Sequence, residues 1–332
     1  MPFRLRLPVV AAPMFLVSGP DLVIAACRAG IMGAFPTTNV RTIDELDRWM
    51  SRIVEALGDG RTTASSDLLG PWAANLITHS TNKRLAQDLE LIARYRPPIV
   101  ITALGSPKPA IEVVHGYGGL VIADVIDLNL ARKAVTVGAD GLACIAAGAG
   151  GHTGSLSPFA FVSAVRSFFD GLVIIGGGIA DGWGVAGAIT AGADLIYMGT
   201  RFIATPESIA PHAHKQMIVD ADLNELVVSA ALTGSPVTWL KPSLRSVGMD
   251  PENLPAKPAR NYDSSDNSPK RWRDVWSAGQ GLGAIKAIES VATVVQTLER
   301  EYWTALQRAS THVRARAFDD SVATKHEGSV HG

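Results

Sequence analysis

Short hydrophobic stretches alternate with longer stretches of helical periodicity along the first 205 residues. In the short stretches, apolar residues follow one another without a polar face, which is typical of strands buried on both sides. The longer stretches repeat apolar residues every three to four positions, as amphipathic helices do. Eight apolar runs are found, at 8–14, 31–36, 71–77, 98–103, 119–124, 140–146, 172–177 and 194–199. Helical stretches lie between them, at 20–29, 43–57, 82–95, 107–116, 128–137, 158–169 and 182–192.

Eight successive strand–helix steps predict the fold class. A strand that is buried on both faces and followed by a helix of crossover length is the unit of a parallel sheet. Eight such units close into a (β/α)8 barrel, the TIM barrel, which is an α/β fold with its active site at the carboxyl ends of the strands. We therefore expect any chemistry to lie in the loops that follow the strands.

The chain changes character after residue 205. Residues 206–275 show no strand pattern, and their last part is polar and rich in proline, which predicts an extended lid, a connector or a solvated loop. From 282 to 309 a 3.6-residue periodicity returns and predicts a long helix that closes onto the barrel. The predicted organisation is a barrel of residues 1–205 and 276–310, a smaller lid domain of 206–275 inserted between the eighth strand and the C-terminal helix, and a flexible tail of 311–332.

Composition and charge exclude several classes of protein. Apolar residues make up 47% of the 332 residues and charged residues 18%, which is typical of a globular enzyme with a large core. The 30 Lys and Arg residues balance 31 Asp and Glu residues, so no general attraction to nucleic acid or to an anionic membrane is expected. No apolar run reaches the roughly 18 residues of a membrane-spanning helix. We expect a cytoplasmic protein whose two cysteines, Cys27 and Cys144, are reduced and buried.

Glycine-rich turns follow the seventh and eighth predicted strands, where barrel enzymes commonly bind phosphate. The seventh strand runs into three glycines at 176–178 before a helix that starts near Asp181, and bare amides at a helix start favour anions. The eighth strand ends in YMGTRF at 197–202, which offers a further amide and a hydroxyl. Two such loops predict a phosphate site. The alternative is that these glycines only form tight turns.

A single imidazole lies in the loop after the sixth predicted strand. The segment GAGGHTGSLSPF, residues 148–159, surrounds His152 with small residues. An imidazole titrates near neutral pH and therefore suits general base catalysis. Bare backbone on both sides would let a planar substrate approach closely, and its amides would favour negative charge on that substrate. The alternative is a histidine that only orders its own turn.

Six motifs, taken in order, resemble one enzyme family. They are AAPM on the first strand, AAN on the third, AGGHTG after the sixth, GGGIADG after the seventh, MGTRF after the eighth and WSAGQG at 276–281. Together they resemble the FMN-dependent nitronate monooxygenases, formerly called 2-nitropropane dioxygenases, from about residue 8 to residue 285. The wider superfamily also contains flavin enoyl-thioester reductases and NADH:quinone reductases.

The resemblance implies an FMN cofactor and assigns residues to it. Met14 would lie against the flavin, Asn75 would offer its amide to the isoalloxazine edge, and Gln280 would approach from the returning segment. The other cofactor-binding residues that the resemblance implies are Gly150, Gly151, Gly176, Gly177, Gly178, Met198, Gly199 and Thr200. For Met14 the alternative is ordinary core packing, and for Asn75 it is the satisfaction of strand-end amides.

The reaction is implied by the same resemblance. His152 would remove the acidic proton beside a nitro group, the resulting nitronate would be oxidised at the flavin, and dioxygen would reoxidise the flavin. The substrate would be a small alkyl nitronate or nitroalkane. The sequence leaves open the use of NAD(P)H, the true oxidant and whether the protein is a homodimer.

Two positions depart from the family pattern. Many members carry an acidic residue just before AGGH, where this chain has Gly148 and Ala149. The fifth strand ends at Asp124, where some relatives carry a base-type residue, and Asp124 has no assigned role. Other polar residues have alternative local roles: Asp127 is placed to cap the helix from 128, and Ser155 either polarises a substrate oxygen or caps the helix near 158.

A basic connector that contains tryptophan supports an alternative function. Its cations are Lys257, Arg260, Lys270, Arg271 and Arg273, and they lie beside Trp272 and Trp276. Lys270 and Arg271 are the candidate substrate-binding residues, because such a patch would hold the phosphates of coenzyme A while a tryptophan stacks on adenine. The alternative function is an FMN-dependent enoyl- or acyl-CoA redox enzyme, or an NAD(P)H:quinone reductase. The simplest explanation of the patch is a solvated run of charge.

Two other functional classes have less support. A non-catalytic flavin-binding scaffold would need neither the phosphate loops nor a histidine at the barrel mouth. A metal-dependent hydrolase needs a cluster of ligands at strand ends. His212 and His214 form an HAH sequence, but they follow the eighth strand and no carboxylates accompany them. No metal site is therefore predicted.

Overall fold

Eight parallel strands close into a barrel in the computed structural model, which describes residues 3–58, 68–255 and 271–316. The barrel strands are β1 (Val9–Ala11), β2 (Met32–Pro36), β3 (Trp72–Ile77), β4 (Ile99–Ala103), β5 (Leu120–Val125), β6 (Gly141–Ile145), β8 (Leu172–Gly176) and β9 (Leu195–Met198). They neighbour one another in chain order, and β9 pairs with β1 to complete the closure. The predicted TIM barrel is confirmed, and each predicted strand overlaps an observed one.

Helices connect the strands and cover the outside of the barrel. They are α1 (Pro20–Arg28), α2 (Ile43–Leu57), α3 (Leu85–Tyr95), α4 (Lys108–His115), α5 (Leu128–Thr136), α6 (Pro158–Arg166), α7 (Gly182–Thr190), α8 (Thr200–Ile203), α9 (His212–Asp220), α10 (Lys241–Ser246) and α11 (Val291–Arg316). Local capping fixes several starts: Thr42 and Glu45 form a capping box at α2, and the Asp127 carboxylate accepts from Leu130 N at 2.8 Å. Asp127 is therefore the N-cap of α5, as predicted.

Alternating residues of the barrel strands fill its interior. A cluster that includes Val10, Met32, Ile101 and Ile174 occupies the lumen, and the outward residues pack against the helices. The middle of the barrel is thus apolar, and the polar residues Asn75 and Asp124 lie toward the carboxyl ends of β3 and β5. This arrangement leaves the mouth of the barrel as the place where side chains can meet a ligand.

A small antiparallel sheet lies outside the barrel, and it corrects the expectation that 206–275 contains no strand. Its strands are β10 (Leu226–Ser229), β11 (Val237–Leu240) and β7 (Gly151–His152), in the order β10–β11–β7. β11 is fully buried, whereas β7 has only two residues and no local pattern. The pairing joins segments about 85 residues apart, so no local signal marks it. The function of 206–275 as a lid stays a prediction, and residues 256–270 lie outside the described part.

The C-terminal helix also differs from the prediction. It begins at Val291 rather than at 282, because Ser290 accepts a hydrogen bond from Thr293 N at 3.2 Å and so caps it there. A short 3-10 helix, Gln280–Ala284, occupies the start of the predicted span. α11 continues to residue 316, beyond the predicted barrel boundary at 310. Among the described residues, no helix combines the length and apolar character that crossing a membrane requires.

Close packing of α11 on α7 explains why α7 begins with a glycine, Gly182. A Cβ at Gly182, the first residue of α7, would lie 2.3 Å from the carbonyl oxygen of Leu298. Only a residue without a side chain allows the two helices to approach this closely. The Gly182 amide also donates to Glu301 of α11 at 2.9 Å. This contact fixes the C-terminal helix beside the loop that follows β8.

Candidate active site

His152 lies at the edge of the barrel mouth, in β7 rather than in an open loop. It pairs with Val237 of β11, so the backbone on both sides is held by the small sheet. The imidazole keeps an exposed surface and forms no hydrogen bond with any residue in the described ranges. Burial of the rest of the ring, and the positive charge of Arg271, lower the pKa of His152 below its usual value. The ring is therefore neutral at pH 7 and free to accept a proton.

The glycine-rich loop before His152 is pressed against the segment 276–281. Gly148 has a φ of +87°, and a Cβ there would lie 2.8 Å from the Gln280 side-chain oxygen. Gln280 N donates to Gly148 O at 2.9 Å, and a Cβ at Gly150 would lie 2.6 Å from Gly279 N. The absence of an acidic residue just before AGGH therefore has a local reason at Gly148, since a larger side chain would displace Gln280.

The loop after β8 supplies unpaired amides. Gly178 has a φ of +70°, and within the described part of the chain neither its amide nor that of Gly177 donates a hydrogen bond. The Gln280 Cβ lies 3.6 Å from the point where a Gly178 Cβ would stand. Successive free N–H groups at a glycine turn form a concavity that suits an anion. Gly176 itself ends β8 inside the sheet and contributes its backbone there.

Carboxylates occupy two of the first amides of α7. Gly184 N donates to the Asp181 carboxylate at 2.7 Å, and Gly182 N donates to Glu301 at 2.9 Å. Both carboxylates complement the positive end of the helix dipole. An anion at this mouth would meet the free amides of the loop before the helix instead.

Thr200 and Met14 line the neighbouring part of the mouth. Thr200 is 8% exposed, and its hydroxyl accepts from Gly279 N at 2.8 Å. Gly199 allows the first strand's loop to approach, because a Cβ there would lie 3.3 Å from the Met14 sulfur. The Met198 side chain is fully buried in the cluster between the barrel wall and the helices. Met198 can face a ligand only through its backbone.

Three polar side chains stand at the carboxyl ends of the barrel strands. Asn75 is 7% exposed, and its side-chain amide donates to Ile101 O at 3.2 Å. Across the barrel, the Tyr197 hydroxyl donates to the Asp124 carboxyl at 3.4 Å. Burial raises the pKa of Asp124 to about 7, an effect that the Tyr197 hydrogen bond partly opposes. Asn75 therefore donates to a carbonyl inside the neighbouring strand β4, and Asp124 is a buried carboxyl whose pKa lies near neutrality.

The other candidate residues have varied positions. Ser155 is exposed and does not cap α6, whose N-cap position is Ser157, so the capping prediction is wrong. Arg271 donates to Leu232 O at 3.1 Å and lies over the Trp272 ring, with 5.7 Å from its guanidinium carbon to the ring centroid. Lys270 lies outside the described residues. The structure thus places Arg271 beside His152 and leaves Ser155 away from a helix cap.

Remaining candidates are structural. His214 is buried, stacks on Trp276 at 5.2 Å and makes a 3.1 Å hydrogen bond with Ser277 O, so it is not a ligand-binding group. Cys27 and Cys144 are free, buried thiols, as predicted. Within the described ranges, no group of three or more His, Cys, Asp or Glu side chains could hold a metal ion.

Sequence reasoning missed the neighbours of His152. The Trp272 ring lies 5.4 Å from the His152 ring, and the segments that carry them are 120 positions apart. Phe15 and Trp239 also contact Trp272. The only available signal was the resemblance of the motifs around Met14 and at 276–281, which placed these segments at one cofactor. The structure brings together Met14, the 148–152 loop, the 177–178 loop, Thr200 and Gln280, while Asn75 lies on the β3 side of the mouth.

Comparison with known proteins agrees with this geometry. The family model for nitronate monooxygenase matches residues 3–301. A Mycobacterium tuberculosis protein named (3aS,4S,5R,7aS)-5-hydroxy-7a-methyl-1-oxo-octahydro-1H-indene-4-carboxyl-CoA dehydrogenase is 30% identical; the match covers 71% of this chain and 64% of that protein. The nitronate monooxygenase of Paraburkholderia phytofirmans is 26% identical over 89% of this chain and 92% of its own.

A solved structure supports the fold independently. The structure of FabK from Thermotoga maritima has a TM-score of 0.74 and 23% identity, and the match covers 93% of this chain and 96% of that one. The family match extends over most of the chain and includes every segment that forms the barrel mouth. The chain therefore belongs to the nitronate monooxygenase family.

Proposed function

We propose that the protein is an FMN-dependent oxidoreductase that oxidises alkyl nitronates and nitroalkanes with dioxygen. The observation that carries the proposal is the position of the His152 imidazole, which forms no hydrogen bond to the described residues and lies at the barrel mouth beside the loops that can hold a flavin phosphate. A base at a barrel mouth with no structural partner is available for proton transfer.

The residues at the mouth fit FMN. The free amides of Gly177 and Gly178, next to Thr200, suit a phosphate, because they offer donors without side chains in the way. Met14 and Gln280 border the same space and would pack against the ring. Bound FMN would supply the electron acceptor for the substrate.

His152 would perform the proton transfer. The C–H bond next to a nitro group breaks, its electron pair moves onto the nitro oxygens, and the proton goes to an imidazole nitrogen. The products of this step are a nitronate anion and an imidazolium. Backbone amides of the 148–151 loop would stabilise the negative oxygens, since glycine leaves them accessible. A substrate supplied as the nitronate would need no such step.

A second candidate function is redox chemistry on a CoA thioester. Arg271 favours it, because its guanidinium is exposed beside the site and could hold a phosphate. The CoA dehydrogenase named above is also a relative, although this chain matches only 64% of that protein's length. Dioxygen as the oxidant and a cytoplasmic location are further parts of the proposal. The use of NAD(P)H and the formation of a homodimer are left open by the sequence.

A substitution at His152 tests the proposal. In His152→Asn, we expect FMN to stay bound and turnover of neutral nitroethane to fall by about 100-fold or more, the usual contribution of a general base. Turnover of pre-ionised ethylnitronate should change by less than about threefold, because it bypasses deprotonation. Equal loss with both substrates, or no loss with nitroethane, would remove His152 from the proton transfer.

A further inference from the structure

Trp272 is the centre of an aromatic cluster at the barrel mouth. Its ring lies 5.4 Å from His152, 5.8 Å from Trp239 and 6.3 Å from Phe15, with the last pair edge to face. Trp239 is fully buried in β11 and anchors one side of the indole. The cluster therefore joins the proposed base to the loop after β1.

The backbone at Trp272 is held in an unfavourable conformation. Its φ of +62° is in the left-handed region, which is unfavourable in free energy for any residue that has a side chain. The Trp272 amide donates to Val275 O at 2.8 Å, and a bridge between Arg271 and Val275 closes the turn. Such a conformation persists where the surroundings fix it, as they do here through the aromatic contacts.

The cluster offers an apolar wall with one cation beside it. Phe15 is 43% exposed and directly follows Met14, so its ring extends the wall from the side of the proposed flavin site. Arg271 is exposed and lies 5.7 Å from the Trp272 ring. Apolar rings next to a single guanidinium are complementary to a molecule with an alkyl body and an anionic end.

We propose that Phe15 and Trp272 form the substrate-specificity wall of the site, and that it selects anions with an extended alkyl chain. The anionic end pairs with Arg271, and the chain lies along the two rings beside His152. This inference rests on the proposed function for the reaction at His152. The binding of an inert anion to the wall does not depend on that reaction.

Binding of straight-chain alkanoates to the FMN-loaded protein tests the wall. Acetate, butanoate, hexanoate and octanoate are titrated while the flavin absorption spectrum is followed. We expect the Kd to fall about two- to fourfold for each added methylene, as burial of alkyl surface on a partly exposed wall predicts. No binding by any alkanoate, or a Kd independent of chain length, would overturn the proposal.

Matched variants separate the wall from general aromatic surface. Trp272→Ala and Phe15→Ala should flatten the dependence of Kd on chain length, whereas Trp272→Phe should keep most of it. Trp303→Ala is the control, because this ring is 54% exposed on α11 and its loss should leave the dependence of Kd on chain length unchanged. An unchanged slope in both Trp272→Ala and Phe15→Ala would contradict the proposal.

Arg271→Met should weaken every alkanoate by a similar factor, about threefold, and the exposed Arg41→Met should not. A loss with Arg41→Met of the same size would overturn the role of Arg271. In the same preparations, ethylnitronate oxidation reports on the proposed function. A chain-length slope without nitronate oxidation would leave the wall standing and refute the reaction, and oxidation without a slope would do the reverse.

Discussion

The hydroxyl of Thr200 accepts a hydrogen bond from the backbone amide of Gly279 at 2.8 Å. The bond ties the loop after the eighth barrel strand to the returning segment 276–281, which carries Gln280. Both partners are buried, and the bond satisfies the buried amide and the buried hydroxyl. It also closes one side of the mouth. This link joins the two parts of the chain that the proposed flavin site requires.

Removal of this link should weaken FMN binding. Thr200→Val keeps the shape but leaves the Gly279 amide without its partner, a change that costs about 1–3 kcal/mol for a buried donor. We expect the Kd for FMN, measured by fluorescence quenching on reconstitution, to rise about tenfold or more. Thr136→Val on the exposed face of α5 is the control and should leave the Kd unchanged. An unaltered Kd in Thr200→Val would show that the link does not support the site.

The pH dependence of nitroalkane oxidation should follow the lowered pKa of His152. Only the neutral imidazole accepts a proton, so kcat/KM should fall as the pH drops, with an acid limb below pH 6.5, the usual value. Arg271 lowers this pKa through its charge, and Arg271→Met should therefore move the limb to higher pH. If the acid limb lies at the same pH in the unsubstituted protein and in Arg271→Met, the charge of Arg271 does not affect the pKa of His152.

His214 should make the protein less stable in mild acid. Burial lowers its folded-state pKa from 6.5 to about 4, so between these values the unfolded chain binds a proton that the folded protein does not. The free energy of unfolding should therefore decline as the pH falls through this window, by up to about 3 kcal/mol.

Chemical denaturation at several pH values measures this slope. His214→Gln removes the titration and should flatten the dependence between pH 6.5 and 4, while His79→Gln, at an exposed position, should retain it. Equal slopes in the two variants would assign the acid sensitivity to other groups.

Local signals determined how much of the fold could be predicted. Each barrel strand and the helices up to 190 have their own apolar pattern, and α2, α5 and α7 also have a side-chain N-cap, such as Asp127 at α5, so the sequence indicates them directly. The pairing of β7 with β11 has no such signal, because two residues around His152 meet a strand about 85 positions later. The start of α11 depends on the cap at Ser290, and the predicted helix start at 282 falls instead in the separate 3-10 helix Gln280–Ala284.

The candidate site was predictable only where motifs mark it. The glycine turns and Gln280 were found from their sequence motifs, and the structure brings them together. The contact of Trp272 with His152 was not predicted, because it arises from tertiary packing of distant segments. The hydrogen bond from Gly182 N to Glu301 was not predictable either, because Glu301 lies 119 positions later, on α11.

The most direct test of the proposed function is an anaerobic titration of the FMN-loaded protein with propionate 3-nitronate, followed by NADH in the same cuvette. We expect the visible flavin absorption to bleach with the nitronate, before NADH is added, and to return when dioxygen is admitted. A flavin that stays oxidised with excess nitronate and bleaches only with NADH would contradict the proposed function and place the chain among the reductases.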